Sequence, residues 1–311
     1  MDLSKTINGI EQRAAESIKA EQGDYIGNDG LLVCGKCHTP KQGRYKMPFG
    51  EVTPMCLCKC GAEQRDKEDR LRKCAELDLE FHHQQTNGLT DFELLCWIDR
   101  NNSVGSEKLN KERLAILKRL CFEKPKMQSW CFENADDCKA IEIARNYVEN
   151  FDRMKEDGKG LLFFGKTGIG KSFTGACIAN ALTDRGIPCL MTNFAAIRNT
   201  VQGLFEGREE YFKSFSKFQL LVIDDLWAES KSEYMQEIVY AVINARCEAG
   251  LPLIVTSNIT SDEIKHPADI SSQRILSRLY QMCLPIEVEG KDHRREQLKA
   301  DFAEYKDLLG I

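Results

Sequence analysis

From about residue 129 onward, runs that are apolar at every position alternate with stretches of helical period. The runs are GLLFFG, CLMTNF, FQLLVIDDL and LPLIVTSN. Between them lie KSFTGACIANALTDRG, AAIRNTVQGLFEGREEYFKSF and SEYMQEIVYAVINARCEAG. A strand with no polar face has nothing to offer water, so it belongs in a sheet covered on both sides; helices between such strands predict a parallel α/β sheet. The front of the chain reads differently. Residues 1–30 predict a short polar helix and then a turn at GNDG, and residues 31–60 carry short strand-like pieces and a cysteine cluster. Residues 61–83 are highly charged and free of proline, with Leu71, Cys74, Leu77 and Phe81 recurring at steps of three to four. That is one narrow apolar stripe on a largely solvated helix linking two domains. Residues 89–122 predict two helices around the polar break NNSVGSE. The expected organisation is a cysteine-bearing module over 1–62, a helical linker over 63–128 and an α/β domain over 129–311.

The chain has 311 residues, 42% hydrophobic and 29% charged, which fits one or two soluble globular domains. No apolar run reaches the ~18 residues of a membrane helix. The first 25 residues hold no apolar signal-peptide core, so a cytoplasmic protein is expected. Net charge is −5, with 21 basic and 20 acidic groups up to residue 128 and 22 against 28 after it. Neither half has the basic excess of a protein that binds nucleic acid by charge alone. Nucleic acid would bind at a local patch or inside an oligomer channel. The second helix of 89–122 is locally basic, with Lys108, Lys111, Arg113, Lys118, Arg119, Lys124 and Lys126 in or just after it; this reads as a DNA or partner contact, or as a solvated face.

Residues 161–172 read LLFFGKTGIGKS: an apolar strand, then Gly165, Lys166, Thr167, Gly168, Ile169, Gly170, Lys171 and Ser172, with Phe173 continuing into a helix. This is G-x-x-x-x-G-K-[ST] in the strand–loop–helix context that gives it meaning. Glycines let backbone N–H groups curl around phosphate, and the following helix turns its positive end to the same anion. Lys171 then reaches the β- and γ-phosphates of ATP, and the Ser172 hydroxyl ligates Mg²⁺. A second buried strand ends in two carboxylates, Asp224 and Asp225. Such a pair is costly unless a cation neutralises it. Asp224 is expected on the Mg²⁺ side and Asp225 beside the attacking water. A third strand ends at Asn258, which would sit between the two and touch the γ-phosphate or its water.

The 14 cysteines sort into two groups. Nine are scattered, several in apolar stretches, as small buried hydrophobes in a reducing compartment. Five fall within 27 residues: Cys34, Cys37, Cys56, Cys58 and Cys60. Four thiolates on two short turns suit tetrahedral Zn²⁺. The expected set is Cys34, Cys37, Cys58 and Cys60, with Cys56 the alternate in the second pair and His38 a sixth candidate. The metal would hold a module too small for its own core.

The blocks GKTGIGKS, LLVIDDL, IVTSN, SSQRILSRLYQMCLPIEV and GKDHRRE resemble the AAA+ ATPases of the bacterial and phage helicase-loader family (DnaC/DnaI-like) and the related IstB-like transposition helpers. The resemblance covers about 129–300. It implies a P-loop AAA+ ATPase fold, ATP hydrolysis to ADP and phosphate, and Asn258 as a sensor. It implies an arginine finger at Arg278, or else Arg274, and a further sensing arginine at Arg294. It implies a replicative helicase, single-stranded DNA and other copies of the chain in an ATP-dependent oligomer as partners, and no membrane. The i, i+4 spacing puts Arg274 and Arg278 on one helix face. Two departures stand out: Asp225 occupies a position where many AAA+ proteins have Glu, and 84–127 is longer than the family's linker. DnaI-like loaders also carry an N-terminal zinc region, which IstB-like helpers typically lack. The competing readings are a helicase loader, an IstB-like helper of a transposase, and an ATP-regulated DNA-binding scaffold with negligible turnover.

Overall fold

The computed structural model describes residues 20–47, 50–204, 206–227, 232–267 and 269–310. The polar helix expected at the front of 1–30 lies outside the described residues. Two compact units are present: the chain up to His83 with Asn101–Ser106, and Gln84–Arg100 with the chain from Glu107.

The first unit holds two small antiparallel ladders. Strands β1 (Tyr25–Ile26) and β2 (Leu32–Val33) pair across the GNDG turn, where the Gly30 N–H donates to the Gly27 carbonyl. Strands β3 (Tyr45–Met47) and β4 (Gly50–Val52) form the second. Helix α1 (Lys59–Thr86) follows. Of its stripe only Phe81 is buried, and Leu71 is 60% exposed.

Helices α2 (Asp91–Asn101) and α3 (Glu107–Cys121) flank the polar break as expected. Ion pairs fix their basic groups: Arg119 forks onto both carboxylate oxygens of Asp91 at 2.9 and 2.7 Å, Arg113 meets Asp99, and Lys118 meets Asp184. These three charges are therefore committed within their own unit.

After α4 (Lys139–Glu149) and α5 (Phe151–Glu156) comes the expected α/β layer. Its elements are β5 (Gly160–Phe164), α6 (Lys171–Asp184), β6 (Cys189–Asn193), α7 (Phe194–Gly203), α8 (Arg208–Ser214), β7 (Leu220–Leu226) and α9 (Glu233–Glu248). They continue as β8 (Leu253–Ser257), α10 (Ser261–Lys265), α11 (Ile270–Met282), β9 (Cys283–Glu287) and α12 (His293–Leu309). The one helical stretch expected over 195–215 is two, α7 and α8, because Gly207 takes a left-handed φ of 81° between them. The five strands are parallel, in the order β6-β7-β8-β5-β9.

Successive residues of each central strand feed opposite cores. Leu161, Phe163, Leu220, Val222 and Ile254 face one core, with Ala176, Cys177 and Leu182 of α6. Leu162, Phe164, Leu221, Ile223, Leu253 and Val255 face the other, with α7, α9 and α11. Coverage on both sides is why these strands contain no alternating polar residue. No helix among the described residues is long and apolar enough to cross a membrane.

Candidate functional site

The strand order sets the site. β5 lies between β8 and β9, and the chain leaves it for β6 at the far edge; a crevice at the strands' carboxyl ends opens where the order reverses. The ends of β5, β8 and β7 supply the glycine loop, Asn258 and the two aspartates.

Gly165 (φ 135°), Gly168 (φ 84°) and Gly170 (φ 92°) all hold left-handed backbone. Space is also restricted at two of them. A Cβ on Gly165 would stand 2.6 Å from the Val288 carbonyl, and one on Gly168 would run into the Asp292 carboxylate. Gly170 is the N-cap of α6, so the orphan N–H groups of that helix's first turn face the loop. Lys171 is 6% exposed. Its ammonium donates to the Gly165 carbonyl at 2.9 Å, to the Lys166 carbonyl at 2.5 Å and to Asn258 Oδ1 at 2.8 Å. Burial lowers its pKa, against the opposing pull of Asp225 and Asp224.

Asn258 passes the network on, its Nδ2 donating to Asp225 Oδ1 at 2.6 Å. Asp225 has a left-handed φ of 59°, and the β7–β8 register shifts between Ile223 and Leu226. This is a bulge, which re-aims a side chain that strict alternation would send to the other face. Buried Thr256 braces it: its hydroxyl donates to Asp224 Oδ1 at 2.6 Å and accepts from the Asp225 N–H at 2.9 Å. Burial, then the Asp224 charge, raises the pKa of Asp225.

A cleft of about 650 Å³ collects these groups. Thr167 through Phe173, Asp225, Asn258 and Arg294 all line it. Asp224 lines a separate small cavity with Lys124 and Asn193, reaching the network through Thr256. Arg294 enters from α12, whose start is tied to the loop: the His293 N–H donates to the Gly168 carbonyl at 3.0 Å, and Asp292 caps the helix through the Arg294 and Arg295 N–H groups. Arg274 and Arg278 do not line this cleft; both face a shallow pocket on α11 beside Tyr240.

Sequence reasoning assigned no role to the other wall. Trp130, Asn134, Cys138 and Ile141 also line the cleft, and the Trp130 ring lies 5.8 Å from that of Phe173. Asn180 of α6 holds this wall, its Nδ2 donating to the Met127 and Trp130 carbonyls at 2.9 and 2.8 Å. The only signal in the sequence is a tryptophan 30 residues ahead of the first strand of the parallel sheet, with α4 and α5 between. Thr256, a hydroxyl inside an apolar strand, was the more readable omission.

In the first unit the sulfurs of Cys34, Cys37, Cys58 and Cys60 all lie within 4.8 Å of one another. Cys34 and Cys60 are 3.6 Å apart, and Cys58 and Cys60 3.3 Å. Cys56 is outside the group, its thiol pointing to the Pro40 carbonyl. Backbone N–H groups of the first knuckle hold the Cys34 thiol below its ordinary pKa, and the Thr39 hydroxyl takes Cys37 down to about 5. Cys60, hydrogen-bonded to the other three, is pushed up to about 12. Four converging thiols, two readily ionised, form a donor set that fits a tetrahedral thiophilic metal. Asp24 props the first knuckle by accepting from the Gly35 N–H, and Lys41 in turn pairs with Asp24 at 2.8 Å.

No protein-family model matches the chain. It is 28% identical over 203 residues to the replicative helicase loader DnaC of Escherichia coli (strain K12), covering 61% of this chain and 80% of that protein. Against the replicative helicase loader DnaI of Bacillus subtilis (strain 168) the identity is also 28%, over 151 residues, 44% of this chain and 48% of DnaI. A crystal structure of DnaI aligns with 25% identity and a TM-score of 0.46, over 57% of this chain and 98% of that one.

Proposed function

We propose that this chain, DnaC/DnaI-like in sequence and AAA+ in fold, is an ATP-dependent loader of a replicative helicase. The observation that carries the reading is the Lys171–Asn258–Asp225 network in one cleft, on a chain similar to proteins named as helicase loaders. In this reading the cleft takes ATP, with the base against Trp130 and Ile141 and the phosphates in the glycine loop. Lys171 and Arg294 supply positive charge, and the N–H groups opening α6 supply hydrogen bonds. Ser172 and Asp224 would hold Mg²⁺, which when bound neutralises phosphate charge. Asp225, kept in place by Asn258, orients the attacking water and takes its proton. Arg278 lies outside its own cleft and serves a neighbouring copy, stabilising charge on the transferring phosphoryl only when the two are docked.

The cysteine module, folded around Zn²⁺ held by Cys34, Cys37, Cys58 and Cys60, is the helicase contact. Single-stranded DNA binds the assembled ATPase units, and the protein acts in the cytoplasm. The cysteine module favours a helicase partner over a transposase. The test is co-purification of the chain with the helicase of its native cell, together with nucleotide binding by the purified protein. Wild type is expected to retain the helicase and bind ATP, and Lys171→Ala to lose ATP. Recovery of a transposase in place of a helicase, or unchanged ATP affinity in Lys171→Ala, refutes the assignment.

A further inference from the structure

Thr39 touches both halves of the cysteine cluster. It follows the left-handed turn at His38, whose φ is 55°. Its carbonyl accepts the Cys34 N–H at 3.0 Å, which closes the first knuckle. Its Oγ1 lies 3.0 Å from Cys37 Sγ. The same oxygen accepts the Lys59 N–H at 2.9 Å, and Lys59 is the residue between Cys58 and Cys60. One hydroxyl therefore bridges the two sulfur pairs.

The direction of these bonds follows from counting protons. A threonine hydroxyl has one proton and two lone pairs. The Lys59 N–H takes up a lone pair, so the proton is left for the Cys37 sulfur. A thiolate that holds a metal has only acceptor capacity, and it needs such a donor. Lys59 also opens α1, and the first N–H groups of a helix have no partner within it. The Cys58 carbonyl accepts the Ala62 N–H at 2.9 Å, and a Cβ on Gly61 would stand 3.5 Å from Cys58 Sγ. The Cys58 sulfur thus lies against the first turn of α1. Packing does little to hold that end of the helix, since the buried residue of α1 is Phe81, near its other end.

We infer that Thr39 is a positioning residue of the metal site: its hydroxyl donates to the Cys37 sulfur and accepts from Lys59, which sets the two cysteine pairs in register for Zn²⁺ and ties the start of α1 to them. This rests on the reading of Cys34, Cys37, Cys58 and Cys60 as the metal ligands.

The test compares the full chain as wild type, Thr39→Val and Thr39→Ser. Valine keeps the shape of threonine and loses the hydroxyl; serine keeps the hydroxyl and loses the methyl. In competition with a chelator, Thr39→Val should bind Zn²⁺ about 10–100-fold more weakly, the usual cost of removing a partner just outside a metal's ligands. Thr39→Ser should stay close to wild type. With Co²⁺ as the probe, the thiolate-to-metal charge-transfer band should move to lower energy in Thr39→Val, because the Cys37 sulfur has lost a donor, and return in Thr39→Ser. Amide exchange followed by NMR should find the Lys59 N–H protected in the zinc-loaded wild type and unprotected in Thr39→Val. A packing role reverses the order, with valine binding like wild type and serine weakly, and that result overturns the inference. So does a Lys59 amide that exchanges freely in the loaded wild type, a measurement that decides even if Thr39→Val fails to fold. If the wild type takes up no Zn²⁺, the metal reading has failed and the inference falls with it. Equally tight Zn²⁺ binding by wild type and Thr39→Val overturns the inference alone.

Discussion

Stripping metal from the full chain should unfold the cysteine module and leave the ATPase unit standing. Among described residues 20–58 the buried apolar side chains are Leu31, Val33, Cys34 and Cys58. Burying an aliphatic side chain is worth about 1.5–3 kcal/mol, so Leu31 and Val33 together supply on the order of 5 kcal/mol. Structural zinc in a small thiolate module supplies roughly 10–16 kcal/mol at neutral pH. The metal term is therefore at least twice the apolar term, and without it the two short ladders have too little to hold them. The geometry is already close. Zn–S bonds of about 2.3 Å in a tetrahedron put sulfurs roughly 3.8 Å apart, against 3.6 Å for Cys34–Cys60 and 3.3 Å for Cys58–Cys60. Elemental analysis should find about one zinc per chain, and cobalt substitution should give the visible spectrum of a tetrahedral thiolate site. A strong chelator should abolish one thermal transition and leave the other in place. Cys58→Ser should lose the metal, and Cys56→Ser, whose thiol lies outside the cluster, should keep it. A chain purified from zinc-supplemented cells with no metal, whose melting ignores the chelator, would refute the reasoning.

Three further outcomes are expected. Asp225→Asn should bind ATP and turn it over slowly. Because burial raises the Asp225 pKa, the acid limb of kcat in the wild type should lie above the ordinary carboxylate range near ~4, with activity falling as pH drops through it. The same shift penalises the charged form in the folded state, so acidification through that range should not destabilise the fold by way of this group; a limb at the ordinary carboxylate value would contradict the burial argument. Gly168→Ala should cost about 1–2 kcal/mol for left-handed backbone alone. It should also displace the Asp292 cap of α12 and weaken nucleotide binding, and wild-type ATP affinity by titration would refute the link. Arg246, 1% exposed, donates to the carbonyls of Phe215, Phe218, Gln219 and Pro252, and burial lowers its pKa to about 10. Arg246→Met strands those four acceptors and should lose roughly 3 kcal/mol in urea unfolding; a loss under about 1 kcal/mol would show that water satisfies them.

The glycine loop, the paired aspartates and the sheet were legible because each is encoded in adjacent residues. A phosphate loop is eight consecutive positions, and a strand covered on both faces is a continuous apolar run. Among the five cysteines spacing left Cys56 as an alternate, and distance places it outside the group of Cys34, Cys37, Cys58 and Cys60. What spacing could not show depends on pairing across the fold. The bulge at Asp225 exists only against β8, and Thr256 joins the site by bonding to residues 31 and 32 positions away in sequence. The Trp130 wall is held by Asn180, 50 residues downstream. For the basic helix α3, spacing left a DNA or partner contact and a solvated face both open; only the fold shows that Arg113, Lys118 and Arg119 pair with Asp99, Asp184 and Asp91.

The hydrogen bonds running from Lys171 through Asn258 to Asp225, and the Thr256 bonds to both aspartates, make the three strand ends one electrostatic unit. Lys171 and Asp225 carry opposite charges, and a neutral amide lies between them, donating to one and accepting from the other. Any anion that draws the ammonium out of the glycine loop must break or stretch its bond to Asn258 Oδ1. The amide is then held only through its Nδ2, by the carboxylate that the proposed reaction uses. In the proposed reading, phosphate in the loop would reach Asp225 through the loss of that one hydrogen bond. α12 is tied to the same loop, since its first residue donates its N–H to the Gly168 carbonyl. On the same reading, binding in the cleft would bear on both Asp225 and α12, on which Leu298, Phe302 and Leu309 are exposed. If the chain is the ATP-switched loader proposed above, these bonds would link the state of the phosphate loop to a surface beyond the cleft.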